Sequence, residues 1–417
     1  MSMNIQQGNH QTFYTLKTSH TGFITGAYVL PVGSAYLSYE HRMLPAIFAS
    51  MLGYDTEKHT ADELYEILEG RGIQVSHSAS LEYLMISFRC CIQDTAQLIA
   101  VIAEQLMCPK LDKKDLDSLK AKMQAVLAMQ DDDTGTRAAV AFNEQLFADK
   151  SFNRLDDPKA MLSISSQVSV EQLKSYHASF DCVTNGFWVV VGDVDAKAFI
   201  SQVEQRFSPQ STRALKHQRF AVPIKPVKAA KAHVEIAQKT SVNLMLGHAT
   251  TVDRHHEDFY PLMIALDALG GSFSARLMRT VRDEEGLTYS VGSTVGGMKQ
   301  NETLSWYVYG CFSPELLDKG VAAIMKQLQI WKKSGITEEE LSERKQGITG
   351  RYLVAQSSPD AILRDILSFI EKGFGAEEIF NYTHRIESVA LDQVNACIQK
   401  YIELDKLACV TAGTLKT

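Results

Sequence analysis

The feature that most constrains this chain of 417 residues is that its second half replays its first. Ala61–Glu69 reads as a helix ending at glycine, and so does Arg276–Glu285. Gly72-Ile73-Gln74-Val75-Ser76 opens a strand after the first, and Gly286-Leu287-Thr288-Tyr289-Ser290-Val291 opens one after the second. Glu82–Cys90 alternates apolar Leu84, Ile86 and Phe88 with small or polar residues, which is a strand pattern, and Thr303–Cys311 matches it. Asp94 caps a helix through Leu106 as Ser313-Pro314 caps one through Trp331. Thr337 and Glu340 form a capping box for a helix matching Asp112–Met129, and the closing LACVTAG matches Phe187–Gly192, FWVVVG. The glycine turns, Gly72 and Gly286, lie 214 apart and the cysteine-ended strands, Cys90 and Cys311, lie 221 apart, so a short insertion near Gly296–Asn301 separates the copies. Each copy mixes long helices with strands that follow one another directly. The fold class expected is α+β: two homologous domains, each a largely antiparallel sheet packed with helices.

The first domain is expected over 1–207 and the second over 233–417. Between them, Ser208–Ala232 holds three prolines and six Lys or Arg with little periodicity, which reads as an extended, solvated linker. Other local signals are strands at Gly22–Val29 and Tyr28–Tyr36, interrupted at Pro31 and Gly33, a helix from about Met43 to Leu52, and capping boxes Thr60/Glu63 and Ser169/Gln172.

A net charge of −7 argues against nucleic acid and against an anionic membrane as partners. No apolar run reaches the ~18 residues a spanning helix needs, and the first twenty residues hold no apolar secretory core. The seven cysteines are odd in number, sit among apolar neighbours and form no CxxC pair, which reads as free thiols in a reducing compartment. A cytoplasmic location follows, with the periplasm open if a leader has been removed.

The stretch with the most chemistry is Gly270–Val291, GGSFSARLMRTVRDEEGLTYSV. After a Gly-Gly turn, a helix is expected from about Ser272, with Phe273, Leu277, Met278 and Val281 on one buried face. It stops at Gly286, and Leu287–Val291 leaves as a strand. The turn brings Arg282 and Tyr289 toward one place, where a guanidinium fork and a phenolic donor can hold an oxyanion or a peptide carbonyl. A solvated arginine and a tyrosine packed on a sheet explain the same spacing.

This stretch resembles the C-terminal-domain signature of the pitrilysin or insulinase family of zinc peptidases, which includes mitochondrial processing peptidase and small bacterial members. The duplicated architecture agrees, since the family builds its chains from pairs of homologous α+β domains that form half of a clamshell. In the first half, Val32-Gly33-Ser34, Met51-Leu52 with Thr56, the turn at Gly72 and VVVGDVD fall in family order. Family peptidases carry HxxEH, in which two histidines one helical turn apart bind zinc and the glutamate activates water. The register set by Gly33-Ser34 and Met51-Leu52 puts Ala46-Ile47-Phe48-Ala49-Ser50 at those positions, with Ala46, Ala49 and Ser50 where the ligands and base would stand. The third, acidic ligand is missing as well, since Leu119–Gln130 holds no acid. Glu40-His41-Arg42-Met43-Leu44 imitates part of the motif but lies too close to Gly33, and the adjacent His255 and His256 point to different sides of any element.

The resemblance implies that Arg282 and Tyr289 bind and polarise the substrate peptide, as the matching pair does in the family. It implies a zinc-less subunit of a heterodimeric zinc peptidase, with no cofactor of its own, and a homologous partner chain that supplies HxxEH and the zinc. Two other readings stay open: a non-enzymatic scaffold reusing the fold, and a homodimeric peptide-binding chamber.

Overall fold

The computed structural model describes residues 3–19, 22–149, 156–184, 186–207, 229–296 and 304–415. Its strands are β1 Met3–Gln7, β2 Thr12–Lys17, β3 Phe23–Leu30, β4 Gln74–Ala79, β5 Leu84–Cys91, β6 Phe187–Gly192, β7 Ala230–Glu235, β8 Val242–Ala249, β9 Ser290–Gly296, β10 Ser305–Phe312 and β11 Ala408–Gly413. They make a six-stranded sheet in the order β1-β2-β6-β3-β5-β4 and a five-stranded sheet in the order β7-β11-β8-β10-β9. Without β1, the two orders are the same path traced twice. In each sheet one pair is parallel, β2 with β6 and β7 with β11, and the other pairs are antiparallel. The α+β duplication read from the sequence is the observed architecture.

The chain divides into two compact units, and they are not its two halves. The first takes in 1–127, 159–221 and 355–379, and the second takes in 128–158, 222–354 and 380–417. In the first unit, the helix Pro359–Glu371 lies on β3 and β6. It buries Ile362, Leu363, Ile366 and Phe369. In the second, the helix Thr134–Leu146 lies on β7, β8 and β11, and packs Ala138, Ala141, Phe142 and Leu146 against Met245, Ala249, Val410 and Ala412. Each sheet thus has one face closed by a helix encoded in the other half of the sequence.

In each core one buried tryptophan finds a partner for its indole N–H, as burial of a polar tip demands, while the buried Trp331 Nε1 has none. In the first unit, Trp188 stacks on Tyr28 with ring centroids 4.6 Å apart and donates to Gln11 Oε1 at 3.0 Å. In the second, Trp306 donates to Ser293 Oγ at 3.0 Å.

Most local signals produce the expected element. The Thr60/Glu63 and Ser169/Gln172 boxes close both of their hydrogen bonds. Glu340 N donates to Thr337 Oγ1 at 3.2 Å, and Thr337 N donates back to Glu340 at 2.8 Å. Gly72 and Gly286 both take left-handed φ, +64° and +63°, which supports the alignment of the two copies.

Four readings change. The second strand expected at Tyr28–Tyr36 is absent, because β3 ends at Leu30 and Ser34–Tyr36 is a 3₁₀ turn. Gly33 N instead bonds Glu82 O at 3.0 Å, and a Cβ on Gly33 would meet the Leu81 carbonyl oxygen at 2.3 Å. Asp94 does not cap with its side chain, which accepts from Arg71 at 3.0 Å. Ser313-Pro314 precedes a turn, and the helix begins at Leu317. Ser208–Ala232 lies outside the described residues up to 228, and Ala230–Ala232 already belongs to β7, paired in parallel with β11. The insertion near Gly296–Asn301 falls outside the described residues beyond Gly296.

Candidate functional site

The helix Phe259–Gly270 leads into the signature stretch and ends in a Gly-Gly pair for steric reasons. A Cβ on Gly270 would lie 2.3 Å from Ser293 N on β9, and one on Gly271 would lie 2.5 Å from Asp267 Oδ1. Only glycine permits this approach of helix end to strand.

Residues 272–275 form a turn rather than the expected first turn of the helix, which starts at Arg276. Phe273 is therefore not on the buried face. It is 79% exposed, while Leu277, Met278 and Val281 are buried as read. The turn is held from the helix Glu338–Ala355. The buried Arg344 donates to Ser272 Oγ and, at 2.8 Å, to Ser274 Oγ, the two hydroxyls that flank Phe273. Four residues earlier on the same helix, Glu340 takes a bidentate pair of bonds from Arg276, both 2.6 Å. Burial pushes the Glu340 carboxyl up, but the Arg276 guanidinium and the Thr337 amide outweigh it and hold the acid below its usual range.

Met278–Glu284 is π-helical, a rare form that recurs at functional sites. Leu287 N bonds Val281 O at 3.0 Å, one residue wider than the matching Ile73 N to Leu68 O bond at 2.9 Å after the first-half helix. The extra residue turns Arg282 so that its guanidinium lies 5.5 Å from the Phe273 ring centroid, with Asp283 3.8 Å away.

The strand expected at Leu287–Val291 begins only at Ser290. Thr288 turns inward, and its hydroxyl bonds the Cys311 carbonyl and accepts from Ser290 N at 3.1 Å. Tyr289 therefore turns outward and is 91% exposed. The packed tyrosine on a sheet, the simpler reading of its spacing, is not what forms. Arg282 and Tyr289 do not touch each other. Phe273 joins them, beneath the Arg282 guanidinium on one side and lining with Tyr289 an open cavity of about 410 Å³ on the other. Met278, Tyr309 and Arg351 are among the other residues of its wall. Sequence reading missed Tyr309 and Arg351. They come from β10 and from the helix Glu338–Ala355, distant in sequence from the signature, and no local pattern marks them.

The zinc-motif positions lie on the helix Leu44–Met51. Ile47, Phe48 and Ala49 are buried in the core, and the exposed Ser50 turns its hydroxyl back to Ala46 O at 3.0 Å. Nothing there has a nitrogen or carboxylate to offer, and the helix Lys113–Asp131 presents no acid between Leu119 and Gln130. These residues do not fit a zinc ion. Among the described residues one acidic group has metal-like spacing, Asp55, Asp112 and Asp115. Lys110 fills it, with Nζ 2.9 Å from Asp55 and 3.4 Å from Asp112. The decoys do not converge either. His41 pairs with Ser38 at 2.9 Å in a 3₁₀ turn, while His255 and His256 bond to backbone and side-chain groups of their own loop.

The molecule thus joins two matched α+β sheets, an exposed Tyr289 with a half-buried Arg282, and motif positions that carry no zinc-ligand side chain. Comparison with known proteins makes that specific. Residues 167–348 match the family model described as the peptidase M16 inactive domain. The non-peptidase homolog YmxG of Helicobacter pylori is 23% identical over 394 residues, covering 92% of this chain and 88% of the relative. An uncharacterized zinc protease of Bacillus subtilis is 22% identical, with 89% of each chain covered. Among solved structures, a peptidase M16 inactive domain from Pseudomonas fluorescens superimposes with TM-score 0.81 at 19% identity over the whole of both chains. A protease from Helicobacter pylori superimposes with TM-score 0.84 at 14% identity over 99% of each. The match sets residues 167–348 beside the M16 peptidase inactive domain, and the insulinase-type resemblance of Gly270–Val291 stands.

Proposed function

We propose that this chain is the zinc-less subunit of a two-chain insulinase-type peptidase, in which Arg282 and Tyr289 bind the substrate carbonyl and a homologous partner bearing HxxEH supplies zinc and the general base. The observation that carries the reading is the exposure of Tyr289. A large aromatic side chain with its hydroxyl in solvent, placed by an inward-turned Thr288 and an αL glycine, is built for a group outside this chain. The arginine beside it is aligned by an aromatic ring rather than neutralised in a buried ion pair. Phenol and guanidinium donors positioned before reaction stabilise an oxyanion, and loss of one such donor costs about 10²–10³-fold in rate.

The test is co-expression with an HxxEH-bearing chain of similar length and assay of peptide hydrolysis with and without chelator. Tyr289→Phe and Arg282→Ala should each lower turnover by about 10²-fold while the two chains still co-purify. Wild-type turnover in both variants would remove the pair from the site. Metal analysis of the purified chain alone should find no stoichiometric zinc, and tight zinc would contradict the assignment.

The non-enzymatic scaffold has one observation in its favour, the non-peptidase naming of the Helicobacter pylori relative. It predicts an assembly in which both substitutions are silent.

A further inference from the structure

We propose that the cavity beside Tyr289 is a subsite for a peptide carboxylate, with Arg351 as its anion-binding group and Phe273, Tyr289 and Tyr309 as its apolar walls. The inference rests on the reading of this chain as a peptide-binding subunit and names the kind of residue it would select.

The cavity holds about 410 Å³, at the small end of the range for ligand pockets and enough for one or two residues of a peptide. Its aromatic walls are unusually open to solvent for their size, with Phe273, Tyr289 and Tyr309 all exposed. The backbone of Gly270 and Gly271 lines it as well, where no side chain can intrude. Tyr309 leans over Gly292, since a Cβ there would lie 2.5 Å from the tyrosine oxygen, and this brings its ring from β10 across β9 to the cavity.

Arg351 is the one charged residue among those lining the cavity. Its Nη2 is anchored by Asp267 Oδ1 at 3.2 Å, and more than half of the side chain is exposed. A guanidinium has five N–H groups in a planar fork, so one anchoring bond orients it and leaves an edge for a second carboxylate. The neighbouring charges do not cancel it. Arg344 pairs with Glu343 at 3.1 Å and stands 4.0 Å from the other Asp267 oxygen, and that oxygen is buried with no hydrogen-bond partner. Burial raises the Asp267 carboxyl above its ordinary range against the pull of Arg351 and Arg344, two cations that share it as a counter-ion. Walls of low polarity strengthen an ion pair formed beside them.

A carboxylate can reach Arg351 from an Asp or Glu side chain or from a peptide C-terminus, and a peptide series separates the two. Fluorescein-labelled short peptides of Ala and Phe, carrying Glu or Gln at one internal position and ending in acid or amide, are titrated against the full chain by fluorescence anisotropy. The carboxylate form at one of these positions should bind about tenfold or more tightly than its neutral counterpart. Arg351→Gln should erase that difference, Arg351→Lys should keep part of it, and both should unfold at the wild-type temperature. Equal binding of acid and neutral peptides, discrimination that survives in Arg351→Gln, or no binding of any acid peptide at about 1 mM would each overturn the subsite. Arg282→Ala and Tyr289→Phe separate this idea from the reading beneath it. If turnover with the HxxEH-bearing partner is that of wild type in both while Arg351→Gln loses discrimination, the carbonyl-binding pair fails and the subsite stands.

Discussion

Arg344 reaches from the helix Glu338–Ala355 to both serines that flank Phe273, and so fixes a turn in which it is not itself a member. Its head group is nearly enclosed, and its removal leaves the two hydroxyls without their donor and Asp267 with Arg351 alone. Arg344→Ala should lower stability by roughly 2–3 kcal/mol, the cost of charge-assisted hydrogen bonds lost from a buried position, read as a shift in the urea midpoint. Phe273→Ala is the contrast at the same turn. The ring lies mostly in solvent, so its loss should move stability by no more than about 0.5 kcal/mol while it weakens peptide binding. At Gly270 the limit is backbone approach. Gly270→Ala must push the helix end off Ser293 N, 2.3 Å from the new Cβ, and should be more damaging than Gly286→Ala. At Gly286 nothing stands within 4 Å, and the cost is the ~1–2 kcal/mol of αL backbone for a residue with a Cβ.

At the scale of elements, the two clamps on Glu338–Ala355 give the site a pH dependence. Glu340 has a folded-state pKa below its unfolded value, since Arg276 and the Thr337 amide favour its charged form. Its contribution is therefore fully present above the unfolded value of about 4.3 and is lost as pH falls through the folded one. The wild-type chain should lose stability on acidification in that window, and Glu340→Gln, weaker by roughly 1–3 kcal/mol at neutral pH, should lose less. Chemical unfolding at a series of pH values reads both slopes, and parallel slopes would show that Glu340 does not govern the acid limb. Asp267 runs the other way, because a raised folded pKa gives stability at low pH that is lost as pH rises through it. The π-helix Met278–Glu284 is the other device at this scale. Apolar spacing identified the buried Leu277, Met278 and Val281, but the spacing is the same for an α-helix. The added residue per turn, which aims Arg282 at Phe273, is chosen by how the segment closes on Leu287 and not by its own composition.

For the whole molecule, the exchanged helices make the two sequence halves dependent on each other. A fragment of residues 1–207 lacks Pro359–Glu371, which covers β3 and β6 with Ile362, Leu363, Ile366 and Phe369. A fragment of residues 233–417 lacks Thr134–Leu146, which covers β7, β8 and β11. Each alone should expose an apolar sheet face and show dye binding and poorly dispersed amide resonances, and mixing the two should restore the native spectrum. Cooperative folding of either fragment by itself would contradict that dependence.

The amino-acid sequence by itself determined the duplication, the run of most helices and strands, and the residue types at the signature and at the vanished zinc motif. These are local properties: capping boxes, apolar period, glycine placement and the presence or absence of a ligand side chain. Only the tertiary structure decided which surfaces those elements present. Phe273 and Tyr289 both look like core residues by spacing, yet both face solvent, because Arg344 holds one turn open and Thr288 takes the inward position at the next. Tyr309 and Arg351 join the site from elements that the signature does not contain, and two helices each belong to the unit of the other sequence half. Each of these depends on contacts between residues far apart in the chain, which periodicity within a short window does not encode.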